Sequence, residues 1–117
     1  MTKRRPAVLI WDAIEAAERL QQFVAGRTGD DYLADDLLRA AVERQFGIIG
    51  EALSVLRRTA PDVAGSIEAL PKAVGFRNEL VHGYATISHS QVWQIVETRV
   101  TPLLSQSRAT LSRLEAG

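Results

Sequence analysis

The chain predicts an all-α fold, an up-and-down bundle of four or five helices. Three observations carry that prediction. Apolar residues recur at helical spacing in four segments. The β-branched residues are scattered and do not alternate, so no strand pattern competes. A length of 117 residues, with 46 % hydrophobic and 24 % charged residues, supplies one domain over residues 1–117 with one modest core. No repeat, low-complexity stretch or Pro/Gly-rich linker divides it.

The first helix is expected from about Pro6 to Ala25. Val8, Trp11, Ile14, Glu15, Glu18 and Phe23 follow a mostly helical spacing, Pro6 suits a first turn, and Gly26 and Gly29 end the run. The second is expected from about Asp31 to Arg58. Leu33, Leu37, Leu38, Val42, Ile49 and Leu53 belong to an apolar stripe broad enough to meet more than one neighbour. The acids Asp30, Asp31, Asp35 and Asp36 near its start, and Arg57 and Arg58 at its end, complement the helix dipole. Pro61 stops it. Gly47 and Gly50 lie inside it, each costing up to about 1 kcal/mol against alanine, which points either to close approach of another helix or to a kink. A short third helix is expected from about Leu70 to His82, with Pro71 in its first turn and Gly83 at its end. The fourth is expected from about Ser88 to Leu114, opened by the capping-box pair Ser88 and Gln91. Pro102 should kink or split it. Trp11 and Trp93 are expected in the core or at an interface, and His89 in solvent.

Composition narrows the chemistry. Fourteen basic and fourteen acidic residues give zero formal net charge, which argues against a large basic surface while leaving room for a local cationic cleft. There is no cysteine, which excludes disulfides, thiolate metal sites and cysteine nucleophiles. With His82 and His89 the only histidines, a multi-histidine zinc site is not expected. Residues 1–10 turn from basic to apolar, but Asp12 and Glu15 cut the run short, so neither a signal peptide nor a membrane span is read and a cytoplasmic location is expected.

The stretch Phe76-Arg77-Asn78-Glu79-Leu80-Val81-His82-Gly83-Tyr84 concentrates the reactive side chains. Arg77 brings a permanent cation with a planar fork of donors, suited to phosphate. His82 brings the side chain suited to acid–base work near neutrality. Tyr84 adds a hydroxyl just past the helix end. The same types near a helix end also serve as an ion-pairing arginine, a dipole-capping histidine and a half-buried aromatic. Positions five apart on a helix lie roughly 140° apart, so Arg77 and His82 do not share a face. They converge either on a loosened last turn or across a two-fold axis between two copies. Glu51, after Ile48-Ile49-Gly50 on a helix expected to be largely buried, is either an ion-pair partner of a structural arginine or the group that orients Arg77.

Arg77-Asn78, His82 and Tyr84 match an R-N-x-x-x-H-x-Y pattern, which resembles the motif of HepT-like toxins, minimal members of the HEPN ribonuclease superfamily. Ala41-Val42-Glu43-Arg44 and Ile48-Ile49-Gly50-Glu51-Ala52 resemble the long second helix of the same family, and the resemblance spans roughly residues 6–110. Gly83 departs from it, since many relatives carry a larger or charged residue there.

The resemblance implies a HEPN-like homodimer whose two motif helices face one composite cleft. It implies cleavage of RNA without a metal or other cofactor, the RNA's own 2′-OH attacking the adjacent phosphate. Arg77 and His82 would be catalytic, with Arg77 stabilising the phosphorane and His82 acting as base or acid. Asn78 and Glu51 would support them. The resemblance also implies a partner, an MNT-type nucleotidyltransferase antitoxin that transfers AMP to Tyr84. The alternative is a non-catalytic phosphate- or nucleotide-binding dimer that scaffolds such a transferase. A purely structural helical dimer is the third reading.

Overall fold

The computed structural model describes residues 5–82 and 87–117. They form six helices: α1 (Pro6–Val24), α2 (Gly29–Ala34), α3 (Asp36–Thr59), α4 (Pro61–Ala64), α5 (Leu70–His82) and α6 (His89–Ala116). The all-α expectation holds, with no strand among the described residues. No described helix is long and apolar enough to cross a membrane.

The expected long second helix is two helices. The chain breaks at Asp35, which adopts an extended backbone (φ −119°, ψ 100°). The side chains on either side explain the break. Asp35 accepts a hydrogen bond from the Leu38 backbone N–H at 3.0 Å and so caps α3. Arg39, one turn into α3, reaches back and donates to the carbonyls of Tyr32 and Leu33 at the end of α2. It also pairs with Asp36. The orphan groups at both helix ends thus find partners. At the other end of α2, Thr28 and Asp31 form a reciprocal capping box. The four acids near residue 30 therefore serve two helix starts.

Other boundaries follow the expectation closely. Pro6 opens α1, and Gly26 turns the chain after it with φ 73°, a left-handed conformation that glycine adopts without strain. The Ser88–Gln91 capping box opens α6. Pro102 does not split α6, which runs through it to Ala116. Pro61 does end α3, and it also starts the short α4, which the sequence reading did not separate.

Helix α3 is the hub. It packs along α1 on one side and along α5 on another, and α1 also packs on α6. Leu9, Ile10 and Leu20 of α1 meet Val42, Ile49, Leu53 and Leu56 of α3 in the core, all buried. The short α2 is tied to α6 by Tyr32, whose ring lies 5.3 Å from that of Trp93. Trp93 also comes to 3.2 Å of where a Cβ would stand on Gly29, so the indole packs closely over that glycine. Trp93 is half-buried, whereas Trp11 is 54 % exposed and is not a core residue of the single chain.

Candidate functional site

Arg77 sits midway along α5, where that helix crosses α3. The crossing is close because α3 presents glycine there. A Cβ added to Gly50 would stand 2.2 Å from the Cβ of Arg77 and 2.6 Å from its Cγ. No other residue fits, so the absence of a side chain at Gly50 fixes where the Arg77 stem lies. The next residue, Glu51, meets the guanidinium, with Nη2 and Oε2 3.3 Å apart. Nη1 donates to Asn78 Oδ1 at 3.3 Å. The Nε of Arg77 is buried without a hydrogen-bond partner among the described residues. The close-approach reading of Gly50 thus holds. Gly47 differs, since among the described residues nothing stands within 4 Å of where its Cβ would be.

The two readings of Glu51 converge on one contact, since the arginine it pairs with is Arg77. Glu51 is not buried as expected; its side chain is 63 % exposed, against 28 % for Arg77. So exposed a pair contributes little to stability, about 0–1 kcal/mol. Its effect is geometric: it orients a cation whose stem Gly50 already holds.

Arg77 lines an open groove of about 430 Å³ between α1, α3 and α5. Asp12, Arg44, Gly47, Glu51 and Val81 line it too. Two cations and two carboxylates share it, so its charge is mixed. The sequence reading quoted Arg44 without giving it a role and did not foresee the groove, because its walls come from three helices. Beside the groove, Val8 and Trp11 lie one turn apart on α1 and are 42 % and 54 % exposed, and Val81 is 49 % exposed.

His82 is the last described residue of α5; it is exposed and does not line this groove. Helix α5 stays helical through His82, so the last turn is not loosened and the separation of roughly 140° from Arg77 stands. Within one chain the two side chains leave α5 on different flanks. Asn78 is exposed and bound to Arg77. His89 is exposed at the start of α6, as expected. Gly83 and Tyr84 lie outside the described residues. Among the described residues no three His, Cys, Asp or Glu side chains gather where they could hold a metal ion.

Comparison with known proteins adds to this geometry. The family model described as Ribonuclease HepT-like matches residues 13–110. "Putative RNase MJ1380" of Methanocaldococcus jannaschii is 30 % identical over 104 residues, covering 86 % of this chain and 91 % of that protein. "Putative RNase MJ0127" of the same organism is 28 % identical over 102 residues, covering 86 % and 82 %. "Putative RNase TTE0752" of Caldanaerobacter subterraneus subsp. tengcongensis is 23 % identical over 110 residues, covering 94 % and 97 %. No solved structure matches the chain.

Proposed function

The chain belongs to the HepT-like ribonuclease family, and from that membership we propose that it is an endoribonuclease acting without a metal ion, as the toxin of a toxin–antitoxin pair. The observation that carries the reading is the seating of Arg77: a cation oriented by Gly50 and Glu51 in the wall of an open groove. Such a preorganised fork of donors suits the extra charge of a pentacoordinate phosphate.

The reaction needs a base to take the proton of the 2′-OH and an acid to protonate the departing 5′-oxygen. Attack of the 2′-oxygen on phosphorus and loss of the 5′-oxygen leave a 2′,3′-cyclic phosphate and a 5′-hydroxyl. His82 fills either role, and two histidines from two copies fill both. Two copies are also what the geometry of α5 asks for, since Arg77 and His82 diverge within one chain. A homodimer in which the α5 helices face each other brings one copy's arginine beside the other's histidine. The exposed Val8, Trp11 and Val81 supply apolar surface for that contact. Gly47, a helical glycine that no contact among the described residues requires, supplies a place for close approach.

Control follows from Tyr84, two residues beyond His82. A nucleotidyltransferase antitoxin would transfer AMP from ATP to its phenol oxygen, breaking the bond between the α- and β-phosphates and releasing pyrophosphate and the phenol proton. The product brings a negative charge and bulk beside the base and screens the cations, as phosphorylation does elsewhere. A second reading has one observation in its favour: the groove of a single chain contains Arg77 but not His82. On that reading the protein grips phosphate and scaffolds the transferase without cutting.

The deciding experiment incubates total RNA with purified protein in EDTA, wild type beside His82→Ala. Cleavage by wild type alone, leaving 2′,3′-cyclic phosphate ends, is the expected result. Absence of cleavage by protein whose Tyr84 is unmodified by mass spectrometry overturns it in favour of the second reading.

A further inference from the structure

A second cavity lies away from the Arg77 groove. It occupies about 110 Å³ between α3, α5 and α6, and carbon makes up almost all of its surface. Phe46, Ile49, Phe76, Ile95, Val100 and Leu103 supply its walls. The Phe46 and Phe76 rings meet edge to face with centroids 4.8 Å apart, a stiff base for the cavity. The cavity is also kept from collapsing. Ala69, just before α5, and Ala73 within it add only methyl groups to the wall, and the Ala69 N–H donates to Gln106 Oε1 at 2.7 Å, which ties the segment entering α5 to α6. Two further lining residues, Lys72 and Arg99, are exposed, which puts them at the open side. Neither has an ion-pair partner among the described residues.

We propose that this cavity is a binding site for a small acid: one six-membered ring, or a branched chain of similar bulk, carrying a single carboxylate that meets Lys72 and Arg99. Size sets the first half of the assignment. An apolar cavity of about 150 Å³ stays dry and takes up benzene; this one, at about 110 Å³, is roughly a quarter smaller but open on one side, so a ring can enter with its polar end outside. Polarity sets the second half. A nucleobase would bury donors and acceptors against carbon without partners, at a cost of several-fold to many-fold in affinity. A ring whose polar group sits only at one end leaves that end at the cations. The proposal does not depend on the ribonuclease reading, since no residue of the Arg77 groove takes part.

The test is a titration of the full-length protein, with labelled Ile, Leu and Val methyl groups followed by NMR, using phenylacetate and its neutral isostere phenylacetamide at low ionic strength. Phenylacetate should shift the methyls of Ile49, Ile95, Val100 and Leu103 saturably, with a dissociation constant on the order of 1 mM or tighter. Phenylacetamide should bind at least about fivefold more weakly, a loss of the size a charge-assisted contact supplies. The double variant Lys72→Glu/Arg99→Glu, which changes only exposed side chains, should bring phenylacetate down to the affinity of the amide. Ala73→Leu, which fills the space, should abolish both. Three results would overturn the proposal: no saturable shift up to about 10 mM, equal affinity for acid and amide, or shifts that map to the Val81 side of α5.

Discussion

Gly47 and Gly50 lie on consecutive turns of α3, and alanine at each separates two uses of a missing side chain. At Gly47 the new methyl meets nothing within 4 Å among the described residues, so Gly47→Ala should raise the stability of the monomer by up to about 1 kcal/mol in urea unfolding. At Gly50 it would stand 2.2 Å from the Arg77 Cβ, an atom too close to the backbone to swing aside. Helix α5 would have to move, and overpacking of that kind costs about 1–3 kcal/mol, more than the helix gains. Gly50→Ala should therefore unfold at lower urea than wild type and lose RNA cleavage with it. Tyr32 offers a different test. Burial, with Glu43 adding and Arg39 opposing, pushes its phenol up to about 12. Its hydroxyl is buried without a hydrogen-bond partner among the described residues. The folded state thus favours the neutral phenol. That contribution is fully present below the unfolded pKa of about 10 and is lost as pH rises through the folded value. Tyr32→Phe should stabilise the fold by about 1 kcal/mol at neutral pH, and its melting temperature should fall less steeply than wild type's between those two pKa values.

The break between α2 and α3 depends on Arg39 more than on the apolar pattern. Arg39→Ala leaves the Tyr32 and Leu33 carbonyls without their charged donor and should cost about 1.5–3 kcal/mol by thermal unfolding. Asp36→Ala, which removes only the exposed end of the same cluster, should be near neutral. That break also shows where reading from sequence stops. Leu33, Leu37 and Leu38 keep helical spacing straight across Asp35, so periodicity alone continues the helix. What ends it is the Asp35 cap on the Leu38 N–H together with a guanidinium folding back over two carbonyls, and the second is a side-chain conformation that no spacing encodes. Helices opened by Pro6 and by Ser88 with Gln91 were legible because proline geometry and cap chemistry are local. The site divides in the same way. The divergence of Arg77 and His82 follows from the pitch of a helix, and Gly50-Glu51 allowed a close crossing or a kink, and a partner for an arginine. The groove's other walls, Asp12 and Val81 among them, depend on how three helices lie together, and neither pitch nor cap chemistry fixes that.

For the whole molecule, zero net charge and a mixed groove fit the proposal that RNA is held at few points, in a shared site assembled when two copies meet. Trp11→Asp places a charge in the exposed apolar surface on α1 without disturbing the core. On the proposed assembly, light scattering should show wild type as a dimer and the variant as a monomer, with the proposed RNA cleavage lost and helicity kept. A dimer that survives the substitution would place the contact on another face.

The two tryptophans also differ in what surrounds them. In the single chain Trp11 stands mostly in water and would be covered only in the proposed dimer, whereas Trp93 lies half-buried against Tyr32 and over Gly29 within the chain. Their emission should therefore report separate events in one unlabelled sample. On dilution, a red shift from Trp11 would follow the parting of subunits while Trp93 stays unchanged. In denaturant, Trp93 would move only when α2 comes away from α6. Single-tryptophan variants would then resolve assembly from unfolding without any added dye, and show which of the two comes first.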